Sequence, residues 1–143
     1  APYVPSSDER VRTMLRLSRL RPGERVVDLG SGDGRLVIAA AALGATAVGY
    51  EMNPLLNLRA RFLAWRSGYG RRTTFHGRNF LHADLSGYDV VFCYLLSSLM
   101  AKVEEKLERE LRPGARVVVN AFPLPGWKPV AERDHVYVYE KRP

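Results

Sequence analysis

Cysteine is almost missing from this chain. Cys93 is the only one among 143 residues, so no internal disulfide can form. Its place in the apolar run Asp89-Val90-Val91-Phe92-Cys93-Tyr94 reads as that of a small buried hydrophobe. Histidine occurs only at 76, 82 and 135, with no metal-ligand spacing among these positions or toward acids, and no metal site is expected. No apolar run approaches the ~20 residues of a membrane span, so no transmembrane segment is expected, and no signal-peptide pattern is visible. Lysine is scarce as well, 4 against 18 arginines. The net charge of +7 is carried by residues 1–78, which hold 13 arginines and 6 acids; residues 79–143 hold 9 bases and 9 acids. Such a basic half suits an acidic protein, a nucleic acid or an anionic membrane surface, while arginines that only solvate helix faces are the plainer reading. The length fits a single domain, 1–143.

The densest signal is Val26-Val27-Asp28-Leu29-Gly30-Ser31-Gly32-Asp33-Gly34-Arg35. A short apolar strand ends on an acid, glycines alternate, and a helix begins. The spacing is G-x-G-x-G, whereas dinucleotide-binding turns prefer G-x-G-x-x-G. Glycines at such a turn let a ligand approach the backbone closely. S-adenosylmethionine (SAM) has no phosphate that needs a helix N-terminus; it presents an ammonium, a carboxylate, a sulfonium and a ribose. Asp28 suits its cationic end. The next apolar run, Thr46-Ala47-Val48-Gly49-Tyr50, ends in Glu51, 21 residues after Gly30. An acid there accepts hydrogen bonds from ribose hydroxyls. The competing readings are a tight strand-to-helix turn with Asp33 as N-cap and a nucleotide or NAD site.

Strands are expected at about 25–29, 46–50, 73–76, 89–94, 116–120 and 135–139, with a sixth between the last two that the sequence marks weakly. Helices are expected from Ser6-Ser7-Asp8-Glu9, a capping-box start, to the stop at Pro22-Gly23; over 34–43; from Asn53-Pro54 to Ser67, with Pro54 at the first turn; and over 98–111, burying Met100, Val103, Leu107 and Leu111. Leu20-Arg21-Pro22-Gly23-Glu24-Arg25-Val26-Val27 echoes Leu111-Arg112-Pro113-Gly114-Ala115-Arg116-Val117-Val118, as in a repeating αβ sheet. The expected fold class is α/β: a Rossmann-like, mostly parallel sheet with a C-terminal antiparallel hairpin, resembling the seven-stranded class I SAM-dependent methyltransferase fold. Asp28, Glu51, residues 76–80, Tyr94 and Asn120 then share the carboxyl edge of the sheet.

The acceptor side reads by exclusion. Tyr94-Leu95-Leu96-Ser97-Ser98 lacks the Asn/Asp/Ser-Pro-Pro-aromatic signature of enzymes that methylate base amines, and Cys93 does not follow a proline as a cytosine nucleophile would. What remains is an aromatic channel of Tyr94, Phe122, Trp127 and Tyr3, with Tyr94, Tyr3 and Trp127 as the catalytic candidates. Such a channel suits an amine. A lysine side chain is neutral about once in a thousand at pH 7.4, and a desolvated slot disfavours its ammonium. Core packing is the alternative for each of these aromatics.

Five segments in order, Tyr3-Val4-Pro5-Ser6-Ser7, Asp28 to Arg35, Gly49-Tyr50-Glu51-Met52-Asn53-Pro54, Leu111 to Val118, and Phe122-Pro123-Leu124-Pro125-Gly126-Trp127, resemble a family of small protein-lysine methyltransferases. Its members include mitochondrial enzymes acting on the ATP synthase c-subunit and the adenine nucleotide translocator, and archaeal enzymes of broad protein specificity. The likeness runs from Tyr3 onward. It implies methylation of lysine ε-amines with SAM as cofactor and S-adenosylhomocysteine as product. It implies that Asp28, Gly30, Ser31, Gly32, Glu51 and Met52 hold the cofactor, that Asn79 or Phe80 touches its adenine, and that residues 1–22 cover the site. Partners are then proteins presenting lysine, with no nucleic acid. The given residues carry no counterpart of the membrane-targeting segment that precedes this point in the mitochondrial members. A cytoplasmic location is expected for a prokaryotic source, and a mitochondrial one if a targeting segment has been lost. In-line methyl transfer without an evident general base is expected. A SAM-dependent enzyme for RNA or a small molecule, using the arginine-rich half to hold an anion, and a SAM-fold scaffold without catalysis are the other readings.

Overall fold

A computed structural model describes residues 8–143. Among these residues seven strands and four helices alternate: α1 Asp8–Ser18, β1 Arg25–Leu29, α2 Arg35–Ala42, β2 Thr46–Tyr50, α3 Pro54–Arg66, β3 Thr73–His76, β4 Val90–Cys93, α4 Met100–Glu110, β5 Arg116–Asn120, β6 Ala131–Arg133 and β7 Val136–Glu140. The strands form one sheet in the order β3-β2-β1-β4-β5-β7-β6. β3, β2, β1, β4 and β5 run parallel, and β7 enters antiparallel between β5 and β6. This is the expected mostly parallel sheet with an antiparallel C-terminal hairpin.

The central strands are apolar because both sheet faces are covered. On one face Val26, Val90, Phe92 and Val118 meet Val11 and Met14 of α1, Leu36 and Val37 of α2, and Ala60 and Ala64 of α3. On the other, Val27, Leu29, Val91 and Val119 meet Met100, Val103 and Leu107 of α4. Strand alternation therefore assigns Asp28 and Asn120 to the α1 face, two residues beyond Val26 and Val118. The strand order reverses between β1 and β4, so the crevice at their carboxyl ends is the natural ligand position.

Three local features differ from the sequence expectation. α1 stops at Ser18, ahead of Pro22-Gly23. Arg19 takes a left-handed φ of 53°, the Ser18 hydroxyl donates to the Leu15 carbonyl at 2.6 Å, and Arg116 of β5 donates to the Ser18 carbonyl at 2.7 Å. A long-range bond thus seals the helix end before the proline is reached. The capping-box serine, Ser6, lies outside the described residues. The helix expected over 98–111 begins as a 3-10 turn, Ser97–Leu99, and becomes α-helical at Met100. β6 is three exposed residues. Asp134 and His135 both have positive φ, 52° and 64°, the geometry that a two-residue hairpin turn requires.

A buried lysine braces the loop beyond β3. Lys106 of α4 donates to the Leu81 carbonyl at 3.1 Å, to the Ala83 carbonyl, and to Glu110 at 2.7 Å. Glu110 in turn accepts from the Leu85 N–H at 2.9 Å. The segment carrying Asn79 and Phe80 is thereby fixed against α4.

Candidate functional site

The turn after β1 is held by its own N–H groups. Gly30 and Ser31 both donate to the Tyr50 carbonyl at 2.9 Å, and Gly34 donates to the Ser31 carbonyl at 2.9 Å. Gly32 donates to Glu51 Oε1 at 3.0 Å. Arg35, the first residue of α2, donates to Asp33 Oδ1 at 3.2 Å. A phosphate-binding turn leaves such groups pointing at the anion. Here they are spent inside the protein, and an aspartate stands at the helix N-terminus. The turn is shaped for a ligand other than a pyrophosphate.

Glycine is required at two positions here for different reasons. Gly34 has φ of 82°, and an added Cβ would come within 2.8 Å of Ala60 and Phe75. Gly49, opposite Asp28 in the β1–β2 register, leaves room for the Ser31 hydroxyl, 2.6 Å from where a Cβ would stand.

The two acids are set differently. Glu51 spans two backbone segments, accepting from Gly32 on Oε1 and from the Asn53 N–H on Oε2 at 3.0 Å. Asn57 donates to its carbonyl at 2.7 Å. A carboxylate has about four acceptor positions, so the two bonds leave capacity for hydroxyl donors. Asp28 is buried. Burial, and secondly the charge of Glu51, push its carboxyl up to about 7. A carboxylate this desolvated is poised for a cation. Burial, with Asp28 as the second cause, likewise raises the Cys93 thiol far above its usual range, which keeps it inert as a nucleophile.

A cavity of about 200 Å3 opens beside Asp28, walled by Val11 and Met14 of α1, Gly30 to Asp33, Leu36 and Tyr94. Ligand pockets commonly hold roughly 300–1,000 Å3, so this cavity takes one end of a ligand whose remainder lies past Glu51 over the open edge. Larger hollows exist elsewhere on the surface, but neither Asp28 nor Glu51 lines them.

The sequence-chosen residues separate into groups. Asp28, Gly30, Ser31, Gly32 and Tyr94 share the cavity, and Glu51 joins them through Gly32. Met52 is exposed just beyond. Asn79 caps the 3-10 turn Phe80–His82 by accepting from the Leu81 N–H at 3.0 Å, and Phe80 packs against the α4-side core. Trp127 is not brought to Asp28. Its N–H and that of Gly126 donate to Glu104 of α4 at 2.8 and 2.6 Å, and its ring stands edge-on to Tyr139 at 6.2 Å. Together with Phe122 it packs on the α4 face, whereas the cavity that Tyr94 shares with Asp28 lies on the α1 face. The sheet itself therefore divides the expected aromatic channel. Tyr3 lies outside the described residues.

Asn120 has no role in the sequence reading beyond its edge position. It is fully buried, and among the described residues neither atom of its carboxamide has a hydrogen-bond partner. Its one signal in the sequence is a polar residue closing the apolar run Val117-Val118-Val119.

Known proteins are similar to this chain in sequence and in fold. The crystal structure of an RNA methyltransferase from Salinibacter ruber in complex with S-adenosyl-L-homocysteine matches with a TM-score of 0.89 at 36% identity, over 96% of this chain and 92% of that one. The adenine nucleotide translocase lysine N-methyltransferase of Mus musculus is 44% identical over 97% of the chain and 62% of its own length. A protein-lysine N-methyltransferase of Saccharolobus islandicus is 38% identical over 90% of the chain and 81% of its own length. The chain spans 51–62% of the length of the vertebrate relatives it matches. The family model described as the ANTKMT methyltransferase domain matches residues 28–131, from the acid near the end of β1 to the start of β6, and the chain belongs to that family.

Proposed function

We propose that the chain transfers methyl groups from S-adenosylmethionine to lysine ε-amines of protein substrates. The observation that carries the cofactor part of this reading is a turn whose N–H groups are spent within the protein, paired with a buried, cation-seeking Asp28. The chain is also related over most of its length to an archaeal protein-lysine methyltransferase.

The residues fit the cofactor. Asp28 would take its ammonium, Glu51 its ribose hydroxyls through the acceptor positions left free, and Met52, Asn79 and Phe80 would flank its adenine. Gly30, Ser31 and Gly32 would lie beneath it. When bound, the cofactor supplies an electrophilic methyl group on a sulfonium. The protein's part is to orient and desolvate the amine. With Asp28 neutralised by the cofactor's ammonium, the Val11, Met14, Leu36 and Tyr94 side chains of the cavity would disfavour the charged form of an amine at its mouth. Tyr94 acts as a positioning group at the mouth. The Asn120 carboxamide oxygen, buried at the end of β5 on the same sheet face as Asp28, would accept one amine hydrogen and hold the lone pair in line.

Methylation of RNA is the second reading, favoured by the name of the Salinibacter ruber structure and by the arginine-rich first half. Incubation with methyl-labelled SAM and cell extract separates the two. The lysine reading expects label that protease releases and nuclease does not; nuclease-sensitive label supports the second.

A further inference from the structure

α3 turns its large apolar side chains away from the core. Its buried residues are small, Asn57, Ala60 and Ala64. Leu55, Leu58, Phe62 and Trp65 are 76%, 64%, 52% and 72% exposed. Spacings of three, four and three residues align them on one stripe, about 15 Å long at 1.5 Å per residue. Scattered exposed apolar residues need no explanation, but a contiguous stripe does.

The charge along the segment that bears the stripe is of one sign. No acid occurs between Glu51 and Asp84, and six arginines do. All six are exposed. At about 100° per residue, Arg59 and Arg66 border the stripe on one side and Arg61 on the other. At its C-terminal end an open groove of about 630 Å3 runs between Arg61, Trp65, Arg71 and Thr73, beside the edge strand β3.

We propose that α3 is a docking face for an anionic phospholipid bilayer. Leu55, Leu58, Phe62 and Trp65 enter the acyl boundary, and the flanking arginines meet lipid phosphates. Charge complementarity selects this occupant. A second copy of the chain would set these arginines against identical ones. A nucleic acid would satisfy the arginines but leave Leu55 and Leu58 in water. An anionic bilayer supplies both hydrocarbon and phosphate, as for amphipathic helices that lie in the membrane interface. The stripe begins four residues after Glu51, so docking holds the ligand edge of the sheet beside the membrane. Docking of this kind does not depend on the identity of the methyl acceptor.

The test uses Trp65 as its own reporter, since a Trp127→Phe variant leaves it the only tryptophan. With phosphatidylcholine vesicles containing phosphatidylglycerol, the emission should shift to the blue and the protein should co-sediment; pure phosphatidylcholine vesicles should do neither. A Leu58→Asp/Phe62→Asp double variant should lose co-sedimentation with its circular dichroism unchanged. Arg59→Gln with Arg66→Gln should weaken binding roughly 25-fold, at about five-fold per basic residue, and added salt should weaken it further. Wild-type chain that ignores anionic vesicles, or binding that survives the double aspartate variant, overturns the proposal. So does a chain that dimerises through Phe62, or one that binds RNA through these arginines and leaves vesicles alone.

Discussion

Replacing Asp28 with asparagine should stabilise the ligand-free protein while abolishing binding of S-adenosylmethionine. The carboxyl is pushed up to about 7 from its ordinary 3.8. Between these values the folded state holds a proton that the unfolded chain releases, so stability falls as pH rises through this window. The penalty is complete above pH 7. At about 1.36 kcal/mol per unit it amounts to about 4 kcal/mol at pH 8 and about 2 kcal/mol at pH 5. Asparagine has nearly the same shape and no charge to desolvate. At roughly 3 °C per kcal/mol for a domain of this size, its Tm should exceed that of wild type by about 10 °C at pH 8 and by clearly less at pH 5. Thermal melts at both pH values, without ligand, measure this. The same linkage makes cofactor binding release a proton, so wild-type affinity should fall by up to about tenfold per unit below pH 7. Equal melting temperatures at pH 8, or a cofactor affinity independent of pH, would refute the assignment of Asp28 as a desolvated acid awaiting a cation.

Three further predictions rest on other contacts. Glu51→Ala frees the Gly32 and Asn53 N–H groups and removes the proposed ribose acceptor; calorimetric titration should find cofactor affinity reduced about 10²-fold, at roughly 1.5–3 kcal/mol per charged hydrogen bond. Asn120→Leu replaces an unpartnered buried amide and should raise stability by about 1–3 kcal/mol while lowering kcat with the cofactor Kd unchanged; a lower Tm would show that the amide has a structural partner. Lys106→Met removes the donor that Leu81, Ala83 and Glu110 share and should cost about 2–3 kcal/mol in denaturant melts, with cofactor affinity falling because the segment bearing Asn79 and Phe80 loosens.

The desolvated carboxyl of Asp28 and the buried carboxamide of Asn120 should each cost stability, as expected where a site is built before its ligand arrives. These two positions also bear on what is legible in the sequence. The parallel strands can be read because each is a short apolar run closed by turn residues, and the glycine turn with its two acids is local along the chain. β1, β2, β3 and β5 fall where the apolar runs put them. β6 is nearly silent in the sequence: three exposed residues carry no alternation, and only pairing with β7 makes them a strand. The end of α1 depends on Arg116, 98 residues away from Ser18. Trp127 looks like part of an acceptor channel because aromatics after the fifth strand suggest one. Its position is set by Glu104, 23 residues back on α4, which draws it to the opposite sheet face from Asp28. Lys106 reads as a solvated helix residue by type, and its burial follows from three acceptors that only the folded loop brings together. The outward stripe of α3 escapes a search for amphipathic helices, because apolar residues occur on both its faces: small ones inside, large ones outside.

The most direct test of lysine methylation is amino-acid analysis of acid-hydrolysed protein after incubation with methyl-labelled S-adenosylmethionine and the purified chain, beside a Glu51→Ala control. A protein-lysine methyltransferase should place label in ε-methyl-lysine and lose it in the control. Label absent from methyl-lysine and recovered in nucleotides or small molecules would contradict that function.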